Sequence, residues 1–458
     1  MSGDRIAVVG GGLAGLAAAL ECADAGADVT LYEARTRLGG ATFSVRRRDH
    51  WIDNGQHVFV RACSAYLGFL ERIGVGELVS LQPRLRVPVL REEGRPALLR
   101  RSGLPAPLQL VPSLLRYRPL TLRERLAALR AAAAMRRLDP ESSVLDEQSF
   151  AEWLHGHGQS DRSVTALWEL IAIATLNLPA AEASLASALK VFRTALLETT
   201  DGGDIGAATV PLQELHGEAA GATLADAGVR LELGVGVRAV GSERSGFRLE
   251  LAQGVEQADA VICAVPHQAA PGLLPAGVVD ADALERLGAS PIVNLHLHYD
   301  RTVLAEPMVA ALDSPVQWMF DRTSASRVSH GQLVTISLSA ARDEIRLPLR
   351  ALRERFVPAI ARLLPAAANA ELLDFAVTRE PRATFRATPG SRRLRPVTGT
   401  DLSGLYLAGA WTDTGWPATM EGAVRSGLAA AKLALADLSD ASSARARREL
   451  APLPKGPN

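Results

Sequence analysis

The hydrophobic pattern at the start of the chain predicts a strand, a glycine-rich turn, a helix and a second strand. Arg5–Val9 is a short β-branched run that ends at a glycine, which is typical of a buried parallel strand. Leu13–Ala25 is apolar and alanine-rich and stops at Gly26, as a helix does. Asp28–Glu33 (DVTLYE) predicts the second strand. A unit of this order, about 30 residues long, indicates a parallel α/β sheet.

Distant segments carry the same kind of pattern. Val210–Val240 predicts a helix that ends at Gly228 and a strand after it, and Ala258–Pro266 (ADAVICAVP) predicts another buried strand. Leu402–Leu435 predicts the buried strand LYLAG, a loop broken by glycines, and a helix from Met420 onward. We therefore expect one α/β domain that is assembled from discontinuous pieces of chain.

The segments between these pieces have a different character. The stretches PIVNLHLHYDRTV and QLVTISLSAA predict strands of a second sheet, and long Ala/Arg/Leu helices between residues 120 and 200 predict a cap. We expect an α+β substrate-binding domain with this helical cap beside the α/β domain. The expected boundaries are 1–75, 205–290 and 370–440 for the α/β domain, 76–204 and 291–369 for the substrate-binding and cap domain, and 441–458 for a flexible tail.

The composition excludes several classes of protein. Lys plus Arg and Asp plus Glu number 50 each among 458 residues, and this zero net charge argues against a general nucleic-acid binder. Cys22, Cys63 and Cys263 lack the spacing of a disulfide framework or a zinc site, so we expect no bound metal. No basic leader precedes the first strand, and no uncharged apolar run of about 18 residues occurs. We expect a cytoplasmic protein that is soluble or at most peripheral to the membrane.

The first turn fits a G-x-G-x-x-G motif between strand and helix. In such a turn the first glycine allows the tight bend, the second lets a pyrophosphate approach the backbone, and the third lets helix and strand pack closely. The helix N-terminus adds free amides and partial positive charge. The motif comprises Gly10, Gly12 and Gly15, with Leu13 and Ala14 at the start of the helix. Glu33 would accept hydrogen bonds from ribose hydroxyls, which favours a dinucleotide without a 2′-phosphate.

The next segment, EARTRLGG, indicates which dinucleotide is bound. It resembles the E-A-R-x-R-x-G-G segment of flavoproteins in the amine oxidase and phytoene desaturase superfamily, in which FAD stays bound. The resemblance implies FAD as the cofactor and a Rossmann-type FAD-binding domain. The two arginines would neutralise the pyrophosphate, and the glycine pair would admit a second close backbone approach. The cofactor-binding positions of this segment are Ala34, Arg35, Arg37, Gly39 and Gly40.

Leu402–Leu435 resembles the second FAD motif of the same superfamily, in which a helix N-terminus lies under the flavin ring and ribityl chain. Relatives usually carry an acid directly after the A-G pair, whereas this chain has Ala410, with Asp413 as a candidate substitute three residues later. By the resemblance, the remaining contacts are Gly409, Thr419, Met420 and Glu421 at the flavin side and Val237 at the adenine.

A third segment, HWIDNGQHVFV, encloses a polar turn between strand-like flanks. Its DNGQH sequence resembles carotenoid and isoprenoid desaturase-like proteins. The longer run WIDNGQHVFVRACSAYLGFLERIG, together with PRATFRATPGSRRLRP and AWTDTGWPATMEGAVRSG, resembles the hydroxysqualene dehydroxylases of hopanoid biosynthesis, also described as squalene-associated FAD-dependent desaturases. This resemblance implies reductive conversion of hydroxysqualene to squalene, with hydride transfer from reduced FAD to an allylic carbon.

The DNGQH turn also supplies the candidate catalytic residues. By the implied reaction, His57 is the candidate proton donor to the leaving hydroxyl, and Asp53 would tune its pKa or orient it. His57 could instead order the loop or contact the flavin, and Asp53 could simply cap the turn. Asn54, Gly55 and Gln56 are the positions of the turn expected to face the cofactor.

Other functions compete with this one. A carotenoid or isoprenoid desaturase would run the same flavin chemistry in the oxidative direction. A flavin amine oxidase is less favoured, because the lysines are few and Thr419 occupies a position where those enzymes often carry an aromatic residue. The lysines are Lys190, Lys432 and Lys455. A flavoprotein that carries lipid without turnover is a further class, and the sequence identifies no external reductant.

Residues 84–137 carry thirteen arginines against three acids, a local excess of +10 in a neutral protein. The segment forms either a solvated, arginine-coated helical face or a peripheral contact with an anionic membrane surface, to which each cation contributes about 1 kcal/mol. A hydrophobic isoprenoid substrate that enters from a bilayer agrees with the second interpretation. Nucleic acid is not expected as a partner here, because Tyr117 is the segment's only aromatic residue.

Overall fold

A computed structural model describes residues 4–244 and 246–449 of the chain, with the backbone alone from residue 441 onward. Its strands, in chain order, are β1 (Arg5–Val9), β2 (Asp28–Glu33), β3 (Ser44–Arg47), β4 (His50–Asp53), β5 (Val58–Val60), β6 (Val79–Leu81), β7 (Arg86–Arg91), β8 (Ala97–Arg100), β9 (Ile205–Ala208), β10 (Arg230–Leu233), β11 (Val237–Glu243), β12 (Gly246–Leu251), β13 (Gly254–Ala258), β14 (Ala260–Cys263), β15 (Ser290–Tyr299), β16 (Met308–Leu312), β17 (Trp318–Asp321), β18 (Gln332–Ser339), β19 (Leu372–Thr384) and β20 (Leu405–Leu407).

The α-helices are α1 (Leu13–Asp24), α2 (Ser64–Arg72), α3 (Val111–Leu115), α4 (Leu122–Met135), α5 (Ser143–Asp146), α6 (Phe150–Gly156), α7 (Asp161–Ser163), α8 (Glu169–Leu176), α9 (Leu185–Phe192), α10 (Ala219–Asp226), α11 (Ala270–Leu273), α12 (Ala281–Leu287), α13 (Leu349–Leu363), α14 (Pro365–Ala368) and α15 (Met420–Glu449). Val164–Trp168, Arg193–Leu197 and Gln213–Glu218 are π-helical. Gly76–Leu78, Leu108–Leu110, Glu344–Arg346 and Arg392–Leu394 are 3₁₀-helical.

A parallel sheet with the strand order β10-β2-β1-β14-β20 forms the α/β domain. The central strand β1 pairs with β2 on one side and β14 on the other, and Ile6–Val9 are buried. Parallel strands that are covered on both faces require such continuous apolar runs. α1 lies against this sheet and is buried along almost its whole length. The strands come from three distant stretches of the chain, as the hydrophobic pattern predicts.

A seven-stranded sheet, ordered β19-β15-β18-β17-β16-β7-β8, forms the second domain and is antiparallel except between β16 and β7. Alternating side chains of β15 explain its position, because successive residues of a strand face opposite sides of the sheet. Val293, Leu295 and Leu297 pack into a core with Phe356 and Ile360 of α13. The predicted α/β class, with a parallel sheet and a separate sheet domain, is confirmed.

The helices between β8 and β9 form a cap with an aromatic core. Phe150 contacts Trp168 and Phe192 edge-on or tilted, with ring centroids 6.0 and 5.3 Å away. Small and branched side chains of α4, α8 and α9 fill the space around these rings. The helices predicted between residues 120 and 200 therefore pack around an apolar core that they share with β7 and β16 of the seven-stranded sheet.

Two predicted boundaries differ from the structure. The boundary at residue 370 is wrong, because β19 pairs along its length with β15 of the seven-stranded sheet and not with the parallel sheet. The predicted tail begins inside α15, which continues to Glu449, and residues 450–458 lie outside the described part of the chain. In the described residues, no helix is both long enough and apolar enough to span a bilayer.

Candidate active site

The glycines of the first turn have separate roles in the structure. Gly10 has a φ of +112°, and a Cβ there would lie 2.6 Å from the carbonyl oxygen of Ala264 in the neighbouring strand end. A Cβ on Gly15 would overlap the carbonyl oxygen of Gly10. Gly12 is different, since a Cβ there would meet only the Cα of Gly40, at 3.8 Å. Gly10 and Gly15 are thus needed for close packing within the protein, whereas the absence of a side chain at Gly12 leaves its backbone accessible to a ligand.

The EARTRLGG loop lies directly on this turn. The Gly39 amide donates to the carbonyl oxygen of Gly11 at 2.9 Å, and a Cβ on Gly40 would lie 2.7 Å from the Cα of Gly12. Gly39 and Gly40 are predicted to allow a close backbone approach. In the structure they approach the backbone of the first turn. The two glycine-rich segments form one cradle, the glycine cradle, made of residues 10–15 and 39–40.

The N-terminus of α1 supplies hydrogen-bond donors to the glycine cradle. The first helical hydrogen bond runs from the amide of Leu16 to the carbonyl oxygen of Gly12. The amides of Leu13, Ala14 and Gly15 precede it, so the helix itself offers them no acceptor. Such amides, at the positive end of the helix dipole, form a site for the phosphates of a dinucleotide.

The N-terminus of α15 adds a second group of donors next to the first. A Cβ on Gly427 would overlap the carbonyl oxygen of Ala14, so α15 packs against the first turn of α1 with backbone close to backbone. Met420 begins α15 seven residues earlier, which corresponds to about 10 Å along a helix. The Thr419 hydroxyl accepts from the Gly422 amide at 3.1 Å and leaves the amides of Met420 and Glu421 for a ligand. The two predicted FAD motifs are thus brought together.

The adenosine end of the predicted site is assembled at the C-terminal end of β2. Glu33 accepts from the Gly11 amide at 2.7 Å through one carboxylate oxygen and from the Arg35 amide at 2.8 Å through the other. The carboxylate therefore holds the turn, in addition to the ribose contact predicted for it. The Val235 amide donates to the Glu33 carbonyl oxygen at 3.0 Å, which brings Val237 at the start of β11 to this end of the sheet.

The two arginines of the EARTRLGG loop differ in their environment. Arg35 is exposed, whereas the guanidinium of Arg37 lies 3.5 Å from the centre of the Phe43 ring and donates to the Gly40 carbonyl oxygen at 3.2 Å. Burial lowers the pKa of Arg37, and the positive charge of Arg35 lowers it further. A partly buried cation beside the glycine cradle fits an anionic ligand, and the pyrophosphate of FAD has the required charge.

The DNGQH turn is held by a buried ion pair that the sequence motifs did not reveal. Asp53 accepts from the Arg322 guanidinium at 2.9 Å through one oxygen, and from the Ser44 hydroxyl at 2.6 Å and the Leu212 amide at 3.2 Å through the other. Among the described residues, no hydrogen bond joins Asp53 to His57. Asp53 therefore does not orient His57 through a hydrogen bond, but its charge raises the pKa of His57, in agreement with the predicted tuning role.

Asn54 also binds protein groups rather than facing an open site. Its side-chain amide donates to the Ala41 carbonyl oxygen at 2.9 Å and to Glu380 at 3.0 Å, and its side-chain oxygen accepts from the Phe43 amide at 3.1 Å. The Asn54 side chain therefore connects the DNGQH turn to the loop before β3 and to β19, and the cofactor contact at Asn54 stays a prediction. Its only sequence signal is the ordinary preference of Asn for turns.

Gly55 and Gln56 are positioned by Asn294, a fully buried residue on the polar face of β15. The Asn294 side chain accepts from the Gln56 amide at 3.3 Å and donates to the Asn54 carbonyl oxygen at 3.3 Å. Sequence reasoning missed this residue, although a lone Asn inside an apolar strand was a usable signal. Buried polar side chains are retained mainly where they are hydrogen-bonded.

His57 lies at the end of the same turn with one ring nitrogen unsatisfied. Its Nε2 is buried and has no hydrogen-bond partner within the described residues, and a Cβ on Gly55 would lie 3.2 Å from it. Burial lowers the pKa of His57 to about 4; the charge of Asp53 opposes this shift, and Arg322 adds to it. The imidazole is therefore neutral at pH 7 and offers a buried nitrogen for a bound ligand.

A second buried histidine lies beside the glycine cradle. His216, in the π-helical stretch Gln213–Glu218, shares a 2.7 Å hydrogen bond with the Tyr66 hydroxyl, and its Cβ is 3.7 Å from the position of a Cβ on Gly39. Burial lowers the pKa of His216 to about 3. Its Nδ1 has no partner among the described side chains and backbone groups. π-Helical turns often mark functional sites, and no sequence pattern predicted this one.

The side chain of Glu421 is hydrogen-bonded within the protein. The carboxylate is buried and accepts from the amides of Ala65 and Tyr66 at the N-terminus of α2, at 3.2 and 2.7 Å, and from Arg425 at 2.6 Å. The Glu421 side chain therefore caps α2, and the flavin contact at this position stays a prediction for the backbone. The backbone amides of Met420 and Glu421 remain the flavin-side donors.

Asp413 also pairs with protein rather than replacing the missing acid at residue 410. Its carboxylate accepts from Arg392 at 3.3 Å and from the Gly415 amide at 3.3 Å. Gly409 is held by the Ser426 hydroxyl, which accepts from the Gly409 amide at 2.7 Å. Gly409 therefore fixes the loop against α15, and the ribityl contact predicted for Asp413 is unsupported.

These observations test whether FAD fits the site. The amides at the N-termini of α1 and α15 lie in one continuous region, Gly12 leaves the backbone open there, and Arg37 supplies positive charge. His57 and His216 add buried ring nitrogens without partners in the described structure. The amides, together with Arg37, suit a diphosphate, and the two histidine nitrogens suit the polar edge of a flavin. The residues therefore fit FAD.

Comparison with curated proteins gives two kinds of relative. The chain is 24% identical over 459 residues to a zeta-carotene desaturase of Zea mays, covering 89% of this chain and 79% of that protein. It is 33% identical over 156 residues to a hydroxysqualene dehydroxylase of Sinorhizobium fredii, covering 34% of this chain and 33% of that protein. The first similarity is broad and the second is higher but local.

Solved structures share the fold. An oxidoreductase from Methanosarcina mazei superposes with a TM-score of 0.74 at 16% identity, over 93% of this chain and all of that one. The family model described as flavin containing amine oxidoreductase matches residues 13–435, from the start of α1 through the second FAD motif. The chain therefore belongs to the flavin-containing amine oxidoreductase family and is an FAD-dependent oxidoreductase.

Proposed function

We propose that this protein catalyses the reductive dehydroxylation of hydroxysqualene to squalene. The observation that carries the proposal is the local similarity to a hydroxysqualene dehydroxylase, which at 33% identity exceeds the 24% identity to the broader carotene desaturase relative. In the balanced reaction, hydroxysqualene and reduced FAD give squalene, water and oxidised FAD. The C–O bond of the allylic alcohol breaks, a C–H bond forms, and the oxygen leaves as water.

Within this reaction, reduced FAD supplies the hydride, and the protein binds and orients the reactants. The glycine cradle and the free amides of α15 would hold the cofactor. The separate sheet and the cap would enclose the long apolar chain of the substrate and exclude water from the reacting carbon.

The charge state of His57 changes the role proposed for it. With its pKa lowered to about 4, the imidazole is neutral at the pH of the cytoplasm and does not act as an imidazolium acid there. Its buried Nε2 instead serves as a hydrogen-bonding group for the cofactor or the leaving hydroxyl. We therefore propose that His57 positions a reactant, and Asp53 supports the turn through Arg322.

A carotenoid desaturase is the second candidate, because the similarity to a zeta-carotene desaturase covers nearly the whole chain. An amine oxidase is less favoured on the chemistry of the site. Thr419 caps α15 through its hydroxyl instead of providing an aromatic wall, and Lys190 lies over the ring of Trp416 at 5.0 Å from its centre.

The decisive experiment is anaerobic mixing of the reduced, FAD-loaded protein with hydroxysqualene. We expect flavin reoxidation, followed by absorbance, with release of one squalene per flavin, measured by gas chromatography. Free reduced FAD at the same concentration is the control.

The opposite experiment mixes the oxidised protein with zeta-carotene or phytoene. Bleaching of the flavin by a carotene, with no reaction of hydroxysqualene, would favour the desaturase over the dehydroxylase. A flavin that responds to neither substrate would indicate a lipid carrier.

A further inference from the structure

The surface between β8 and the middle of α4 exposes an unusual group of leucines. Thirteen large hydrophobic side chains are exposed in the described residues, and five of them fall within 23 positions of the sequence. Their exposed fractions range from 39% to 61%. They are Leu104, Leu108, Leu115, Leu122 and Leu126. Exposed apolar side chains are ordinary when scattered, but a cluster of this kind marks an interaction site.

Arginines surround these leucines without acidic partners. Within residues 100–130 the acid is Glu124, and the backbone amide of Thr121 and the Ser160 hydroxyl donate to its carboxylate. In the described structure, five arginines of this stretch are exposed and form no ion pair. They are Arg100, Arg116, Arg118, Arg123 and Arg130.

Three other arginines of the arginine-rich segment form ion pairs. Arg86 pairs with Glu306, Arg91 with Asp313 and Arg101 with Asp204. These ion pairs join the segment to the remainder of the protein. Arg84, Arg95, Arg136 and Arg137 are also exposed and form no ion pair in the described structure, so residues 100–130 differ from the rest of the segment in combining unpaired arginines with exposed leucines. We name the surface of residues 100–130 the Leu/Arg surface.

Hydrogen bonds from the Leu/Arg surface to neighbouring elements fix its position, so it is not a loosely packed segment. The Tyr117 hydroxyl is buried and donates to the Ala166 carbonyl oxygen at 2.6 Å. The Arg125 guanidinium donates to the carbonyl oxygens of Leu115 and Leu120, at 2.7 and 2.9 Å, and joins the end of α3 to α4. Leu122 and Leu126 are four residues apart on α4 and hence lie on one face.

We propose that the Leu/Arg surface binds the surface of an anionic phospholipid bilayer. Leucines can insert between the acyl chains while the arginines lie at the level of the phosphates. Apolar burial and electrostatic attraction then both favour binding to such a bilayer. A nucleic acid is disfavoured, because the aromatic side chain of this segment is buried and no aromatic ring is available for stacking on the surface described. The occupant is inferred from charge and apolar exposure alone, independently of the reaction proposed above.

The test is cosedimentation of the FAD-loaded full chain with vesicles that contain no isoprenoid. Vesicles of phosphatidylcholine mixed with phosphatidylglycerol are compared with vesicles of phosphatidylcholine alone. We expect binding to the mixed vesicles only, weakened as salt is raised. Absence of binding to the mixed vesicles would overturn the proposal and would leave the proposed reaction untouched.

Two sets of variants separate insertion from simple charge attraction. Changing four leucines to Ser (L104S, L108S, L122S, L126S), or three arginines to Gln (R100Q, R118Q, R123Q), should each weaken binding at least about tenfold. Matched controls outside the surface should bind as the unaltered protein does. They are the fourfold variant V255S, L349S, V397S and L433S and the threefold variant R238Q, R244Q and R353Q. Flavin absorbance and circular dichroism verify folding. Leucine variants that bind normally, or controls that weaken binding equally, would overturn the proposal.

Discussion

His57 is the side chain of the site whose chemistry depends most on its surroundings. An exposed histidine has a pKa near 6.5 and changes charge in the physiological range. Burial beside Arg322 lowers the pKa of His57 to about 4, so the ring stays neutral at pH 7. The unsatisfied Nε2 is then available to bind a ligand rather than to protonate one.

Replacement of His57 by Gln should slow flavin reoxidation by hydroxysqualene about tenfold while FAD stays bound, because one hydrogen bond is lost. A histidine that donates a proton as an imidazolium accelerates the reaction below its pKa, and this acceleration is lost above its pKa. We therefore expect the ratio of wild-type to H57Q rates to be constant from about pH 5.5 to 8, measured by stopped-flow absorbance. H155Q, at an exposed histidine, is the control. A ratio that rises several-fold as the pH falls from 8 to about 6 would restore the proton-donor role.

At the scale of elements, the N-termini of α1 and α15 determine the cofactor site. Glycines allow the backbones to approach: Gly427 of α15 lies against Ala14 of α1, and Gly40 lies against Gly12. These contacts collect amide donors from residues more than 400 positions apart along the chain. Neither helix alone forms a site that could hold a whole dinucleotide.

The glycines of the first turn should separate folding from cofactor binding. Gly12→Val places its side chain in the open approach, so we expect loss of FAD with little change in the melting temperature of the apoprotein. Gly15→Ala forces a Cβ into the Gly10 carbonyl oxygen and should destabilise the apoprotein by about 2 kcal/mol or more. Equilibrium unfolding and flavin titration measure the two effects. Equal destabilisation by both variants, or normal FAD affinity in the Gly12 variant, would contradict this division.

At the scale of the whole molecule, a few buried polar contacts connect the two domains. Arg322 follows β17 of the seven-stranded sheet and pairs with Asp53 of β4. Asn294 of β15 holds the backbone of the DNGQH turn, and Glu380 of β19 holds Asn54. The seven-stranded sheet therefore contacts the loop that is expected to face the cofactor.

Breaking the Asp53–Arg322 ion pair tests this connection. Arg322→Met leaves a buried carboxylate without its partner and should cost about 3–5 kcal/mol of unfolding free energy. The double variant with Asp53→Asn should recover much of this loss, because an amide tolerates burial better than an unpaired charge. Denaturant unfolding followed by flavin release measures both. A double variant that loses the sum of the two single effects would show that the pair is not coupled.

Several structural features could be predicted from sequence because they depend on local patterns. β1 and β2 have the predicted bounds, since a short run rich in apolar and β-branched residues specifies a buried strand locally. α1 ends within a residue of its prediction, where Gly26 adopts positive φ. The FAD motifs carry their own spacing, so the cofactor and the α/β class followed from residues that are near each other in the chain.

The amino-acid sequence by itself determined the strand–turn–helix unit, the second FAD motif and hence the flavoprotein family. The tertiary structure decided what the polar side chains do: Asp53 pairs with Arg322, Asn54 with Glu380 and Glu421 with the N-terminus of α2. Partners so distant in the chain leave no spacing to recognise. Propensity and motif spacing act over a few residues. The burial that sets the pKa of His57, and the partners that these carboxylates bind, exist only when the domains have packed together.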